Sequence, residues 1–222
     1  RRAPALAAAF YVTYGLWSLT RVSRAWWQWR DDGVITLSHA RGLVNFGYPA
    51  ISAAAERVEG TSAPLQMFAG AVYYWFGGTG WQTFMDAQVV LGFAATGWFV
   101  ARLITHATSD ERVWIVMPWA AAVAVVAFST WPALGWFGSG MENSLTVPLL
   151  LAATATATGV LTQSEHRGWA CGIAFALAGL TRVDFAALLL PALLIVVAML
   201  WRQRRDAALR VGLVALCSWG IL

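Results

Sequence analysis

Two adjacent carboxylates, Asp31 and Asp32, stand in the stretch Trp29-Arg30-Asp31-Asp32-Gly33, among aromatic and arginine side chains. Successive positions at the start of a helix diverge by about 100° around its axis, so the two carboxylates divide their tasks. One can face a sugar hydroxyl while the other holds a cation, an arginine or a backbone N–H. A divalent cation beside the pair is compatible with this arrangement, and no other cofactor is called for. The simpler reading is that one or both cap the helix that follows, since Asp is a favoured N-cap residue.

The other candidate groups are arginines and carboxylates at breaks between apolar segments. Arg41 and Arg182 are the candidate arginines, because a guanidinium presents several donors in a fixed fork. For Arg41 the alternative is an interfacial side chain reaching toward lipid headgroups. For Arg182, in Leu180-Thr181-Arg182-Val183-Asp184, it is a structural ion pair with Asp184. Glu142 follows Gly138-Ser139-Gly140-Met141 and reads either as a site carboxylate or as an acid at a helix N-terminus. Glu56, Arg57 and Glu59 form a further charged cluster, either supporting the site or making solvated surface pairs.

The rest of the chain is built to carry these groups at a membrane. Of its 222 residues, 59% are hydrophobic and 12% charged, which excludes an ordinary soluble domain with a polar shell. Crossing the hydrocarbon core takes about 20 apolar residues, and Val113 to Gly140 and Asn143 to Gln163 run that far without an ionisable side chain. The fold class expected is all-α, a polytopic transmembrane helical bundle. All 15 basic residues are arginine, and the basic balance requires no nucleic acid. Cys171 and Cys217 lie in apolar segments without a CxxC pair and read as packing residues, while His106 and His166 lack partners at ligand spacing. Gly168 and Gly172, four residues apart, suit a close helix contact.

Topology follows from the arginines. Pro4 to Leu19 is the first expected span. Trp26, Trp27 and Trp29 mark headgroup level, where the chain enters a surface loop over 20–64. Within that loop Val34, Leu37, Ala40 and Val44 share a helical face, with Thr36, Ser38, His39 and Asn45 elsewhere. This is the pattern of an interfacial helix, ended by Gly47, Tyr48 and Pro49. Leu65 to Phe76, about a dozen apolar residues, is short for a span and closer to a re-entrant or surface helix, and the topology turns on whether it crosses. Arg202, Arg204 and Arg205 belong on the cytoplasmic side, and counting back from them puts the 20–64 loop, Glu142 and Asp184 together on the extracytoplasmic surface. The chain begins with Arg1 and stops inside an apolar run, so further helices and any C-terminal soluble domain are expected beyond it.

Motifs in order along the chain carry a family resemblance: the Asp31-Asp32 pair opening an amphipathic helix; His39-Ala40-Arg41-Gly42-Leu43; Glu56-Arg57-Val58-Glu59-Gly60-Thr61; Gly138-Ser139-Gly140-Met141-Glu142-Asn143; and Leu180-Thr181-Arg182-Val183-Asp184. The sequence resembles the GT-C glycosyltransferases, in particular the mycobacterial-type terminal β-(1→2) arabinofuranosyltransferase branch. It departs from that pattern at Val183, where a proline is usual, at His39, and over 48–55. The resemblance implies a multi-pass enzyme of the bacterial plasma membrane, working in cell wall biogenesis. It would transfer a sugar, arabinofuranose in that branch, from a polyprenyl-phosphate donor to a cell-envelope glycan acceptor. Asp31 or Asp32 would be the base, Arg41 and Arg182 would bind the donor phosphate, and Glu56, Arg57, Glu59, Glu142 and Asp184 would support the site. The readings that compete with it are a membrane transporter and a non-catalytic subunit of an envelope-assembly complex.

Overall fold

The computed structural model describes residues 2–21, 31–52, 63–129, 131–139, 142–162 and 168–220, and every regular element among them is an α-helix. In chain order these are α1 (Arg2–Arg21), α2 (Asp31–Phe46), α3 (Pro64–Trp75), α4 (Trp81–Thr108), α5 (Val113–Phe128), α6 (Trp131–Gly138), α7 (Asn143–Thr162), α8 (Gly168–Gly179), α9 (Val183–Gln203) and α10 (Arg205–Trp219). Three of them are long and apolar enough to cross a membrane: α4, α7 and, from Asp184, α9, which is the most apolar with a mean hydropathy of 2.3. At 1.5 Å per residue, α9 extends about 30 Å, the thickness of a hydrocarbon core. The expected first span is 20 residues long but less apolar, and α1 is not one of the three.

Local sequence sets where the helices stop. Gly47 takes a left-handed φ of 77° and its N–H bonds the Leu43 carbonyl at 3.0 Å, so α2 ends at the expected glycine. Pro64 opens α3, where its missing N–H costs nothing. Gly77, with a φ of 86°, closes it. With 12 residues α3 is only about 18 Å long, less than the thickness of a hydrocarbon core. α8 also has 12 residues, so it too falls short by itself. The apolar stretch from Val113 onward is divided between α5 and α6.

Small residues bring the helices together. α1 runs antiparallel to α4, with Gly97 against Ala7 and Gly15 against the Phe93 ring. The Tyr11 hydroxyl crosses to the Ala120 carbonyl of α5 at 3.0 Å. Phe93, Phe128 and Phe137 pack edge and face around one another in this first core. α4 and α7 touch where Gly92 lies on the Ser144 carbonyl, and a Cβ there would collide with that oxygen. Pro148 has no N–H to offer Ser144 one turn back, so the α4 contact falls at a gap in the hydrogen-bond ladder of α7. A second core joins α7 to α10. Within it Gly168 lies on Ala207, Gly172 on Val211 and Val214, and Gly179 on the Trp219 ring, so the expected glycine contact is made, with α10 as its partner.

α2 departs from the interfacial pattern. Its buried face is Gly33, Thr36, Leu37 and Ala40, packed on Met67, Gly70 and Ala71 of α3. Thr36 and His39, read as lying off the apolar face, are buried, and Ile35 is exposed. Burial against α3, a partner invisible in the local pattern, selects this face.

Candidate functional site

One end of the bundle gathers the segments that carry the candidate charges. Leu19 at the end of α1 packs on Gly138. The Leu65 N–H at the start of α3 donates to the Leu180 carbonyl at 2.8 Å, docking α3 on the break between α8 and α9. In that break Arg182 has extended backbone, and its side chain turns toward the start of α7.

Arg182 Nη1 donates to Glu142 Oε1 at 2.6 Å, and its Nε donates to Asp184 Oδ1 at 3.0 Å. Glu142 is 3% exposed, and its carbonyl accepts the Leu145 and Thr146 N–H groups that open α7. The carboxylate is thus fixed by a helix start and held by a guanidinium forty residues away. Asp184, in the first turn of α9, is exposed. The two acids hold the Arg182 guanidinium firmly protonated, Asp184 contributing most. Nη2 takes part in no hydrogen bond among the described residues, and the side chain is 35% exposed. The predicted Arg182–Asp184 ion pair is present, and Glu142, a separate candidate in the sequence, completes it.

A buried polar chain runs beside this cluster. Gln66 of α3 donates to Gln88 of α4 at 3.1 Å, and Gln88 donates to the Ser144 hydroxyl of α7 at 2.7 Å. All three are buried and tie three helices together two residues from Glu142. None of the three was singled out from the sequence. The signal was there, because an amide side chain inside an apolar helix is costly unless another helix supplies its partner.

Arg41 lies elsewhere on the α2–α3 unit. It is exposed, has no ion pair among the described residues, and lines an open groove of about 370 Å³ with Ser38, Gly42, Asn45, Phe46 and Ile51. Gly42 is required in the groove's wall, because any side chain would strike the Ala50 backbone. Tyr74 of α3 feels the Arg41 charge, although burial dominates and pushes its phenol up. Asp31 and Asp32 are the first residues of α2, ten and nine residues before Arg41. Along one helix this is about 15 Å between Cα atoms, with Arg41 leaning back toward the helix start. The positions of the Asp31 and Asp32 side chains, and of Glu56, Arg57, Glu59 and Trp26 to Trp29, lie outside the described residues. Among the described residues no three His, Cys, Asp or Glu side chains converge to hold a metal ion.

No family model matches the chain, and neither a characterised protein nor a solved structure matches it. Glu142, Arg182 and Asp184 together carry one net negative charge, so an incoming phosphate needs further positive charge. Arg41 is the freer of the two candidate arginines.

Proposed function

We propose that this chain is part of a GT-C-type polytopic membrane glycosyltransferase that takes a sugar from a polyprenyl-phosphate donor and joins it to a cell-envelope glycan. The observation that carries this reading is the Glu142–Arg182 contact. Two of the segments on which the resemblance rests, 138–143 and 180–184, lie forty residues apart and meet through a buried carboxylate and a guanidinium. The start of α3, which leads out of the loop after Asp31 and Asp32, docks on the same break.

Such a reaction has to occur where an isoprenoid tail stays in the bilayer while the sugar meets a polar acceptor. In this reading the acceptor hydroxyl loses its proton to Asp31, with Asp32 in support, as the new bond to the sugar carbon forms and the polyprenyl phosphate departs. Arg41 and the open Nη2 edge of Arg182 hold the phosphate as negative charge grows on it. Glu142 and Asp184 hold Arg182 in place. This end of the bundle lies on the extracytoplasmic side in our assignment, because Arg202, Arg204, Arg205 and Arg210 stand at the opposite end. Transfer of radiolabelled sugar from a polyprenyl-phosphate donor by the purified full-length protein tests the proposal. Absence of transfer with arabinofuranosyl, mannosyl and glucosyl donors alike would overturn it, leaving a transporter or assembly subunit.

A further inference from the structure

The end of the bundle opposite Arg182 holds a second polar concavity that the transfer reaction does not use. Where α9 gives way to α10, Arg204, Arg205 and Arg210 line a cavity of about 110 Å³ together with Asp206 and Ala207. Three guanidiniums against one carboxylate leave two net positive charges there. Nη1 of Arg204 is buried and has no hydrogen-bond acceptor. A buried guanidinium N–H without an acceptor is costly, and an anion seated in the cavity would satisfy it.

The surroundings specify which anion. The cavity lies at the end of α9, the most apolar of the three candidate spans, whose Leu194, Ile195 and Met199 are exposed on the way to it. Trp201 is 47% exposed at this level, with the Arg205 guanidinium 5.7 Å from its ring centre. An aromatic side chain and an arginine together at the end of an apolar span mark headgroup depth. From Arg205 an apolar strip descends the outer face of α10 through Leu209, Leu213 and Leu216, all exposed, at spacings of four, four and three residues. A cationic pocket for a phosphate, continued by a strip of leucines, is complementary to one molecule of anionic phospholipid.

We infer that Arg204, Arg205 and Arg210 form a headgroup site for an anionic phospholipid whose acyl chain lies along Leu209, Leu213 and Leu216. Free phosphate shares the headgroup chemistry but leaves the leucine strip uncovered. The inference depends on α9 lying in a bilayer and not on the transferase reading, so the two fail independently.

The test uses the full chain in detergent with equal phosphatidylglycerol and phosphatidylcholine added, and counts lipids retained by native mass spectrometry. Phosphatidylglycerol should be retained about tenfold or more over phosphatidylcholine. Arg204→Gln and Arg210→Gln should each weaken retention about fivefold, as loss of one arginine at a membrane surface does. The Arg204→Lys, Arg210→Lys pair keeps the charge and should retain most of the preference, which guards against a folding artefact. Sodium phosphate and glycerophosphoglycerol, which has the headgroup and no chains, should fail to displace the lipid at equal concentration. Equal retention of both lipids, full retention in the glutamine variants, or displacement by sodium phosphate at equal concentration would each overturn the inference.

Discussion

Arg182 and Glu142 are joined by a 2.6 Å hydrogen-bonded ion pair in which the carboxylate is buried and the guanidinium keeps one edge open. Removing either partner leaves the other underpaired. Glu142→Gln keeps the shape and one acceptor, so it should destabilise the protein by about 1–3 kcal/mol, less than for a fully buried pair because Arg182 is partly solvated. A double-mutant cycle of Glu142→Gln with Arg182→Gln, read by thermal unfolding in detergent, should give a coupling of about 1 kcal/mol or more. Strict additivity would show that the pair contributes no coupling.

Arg182→Lys separates structural from phosphate-binding roles. Lysine keeps the charge but cannot bond Glu142 and Asp184 while presenting a third edge. Donor affinity, measured with a short-chain polyprenyl-phosphate sugar, should fall about tenfold. A protein with unchanged donor affinity and lowered thermal stability would assign Arg182 to structure alone.

Asp31→Asn tests the proposed base. Asn has nearly the same shape and caps a helix about as well as Asp, so stability should change by well under about 1 kcal/mol. Loss of a general base should slow transfer about 10²- to 10⁴-fold, or roughly 3–5 kcal/mol of barrier. Asp32→Asn, tested in parallel, should affect donor binding or cation dependence more than the chemical step. Near-normal turnover in both variants would remove the pair from the mechanism.

Packing at the glycines gives a prediction independent of function. Gly92→Ala places a methyl group on the Ser144 carbonyl, which belongs to backbone and cannot swing away, so a loss of about 1–3 kcal/mol is expected. Gly212→Ala meets nothing closer than Val197 Cγ2 at 3.7 Å and should be neutral or stabilise by up to about 1 kcal/mol through helix propensity. Similar unfolding temperatures for the two variants would contradict the α4–α7 contact.

Sidedness can be read at the two ends of α4. Thr79 and Thr108 are exposed and separated by a 28-residue helix. Ser139, the obvious place in the 138–142 turn, is buried and would label poorly whatever its side. In a Cys217→Ser background, since Cys217 is exposed and Cys171 buried, Thr79→Cys should react in whole cells with a membrane-impermeant maleimide and Thr108→Cys only with a permeant one. The reverse pattern would invert the proposed topology.

Much of this protein was legible in the chain itself. The apolar stretch from Asn143 named α7, because a span needs only hydrophobicity and length, both of which are local, whereas the stretch from Val113 was divided between α5 and α6. Gly47, Gly77 and Pro64 set their own helix ends, since φ preference and a missing N–H belong to single residues. Arg182 and Asp184, two residues apart, could be read as a pair for the same reason. Partner choice across the fold was not local. Nothing in the spacing of Glu142 says that its carboxylate reaches Arg182, that Gln66, Gln88 and Ser144 form one chain, or that Gly172 packs on α10. In α2 the expected face buries Leu37 and Ala40, but Thr36 and His39 are buried beside them, which the apolar pattern did not show. Each of these depends on which helix lies beside which, and the tertiary structure decides that by matching small residues to close backbones and by pairing buried polar groups such as Glu142 and Gln88 with partners from other segments.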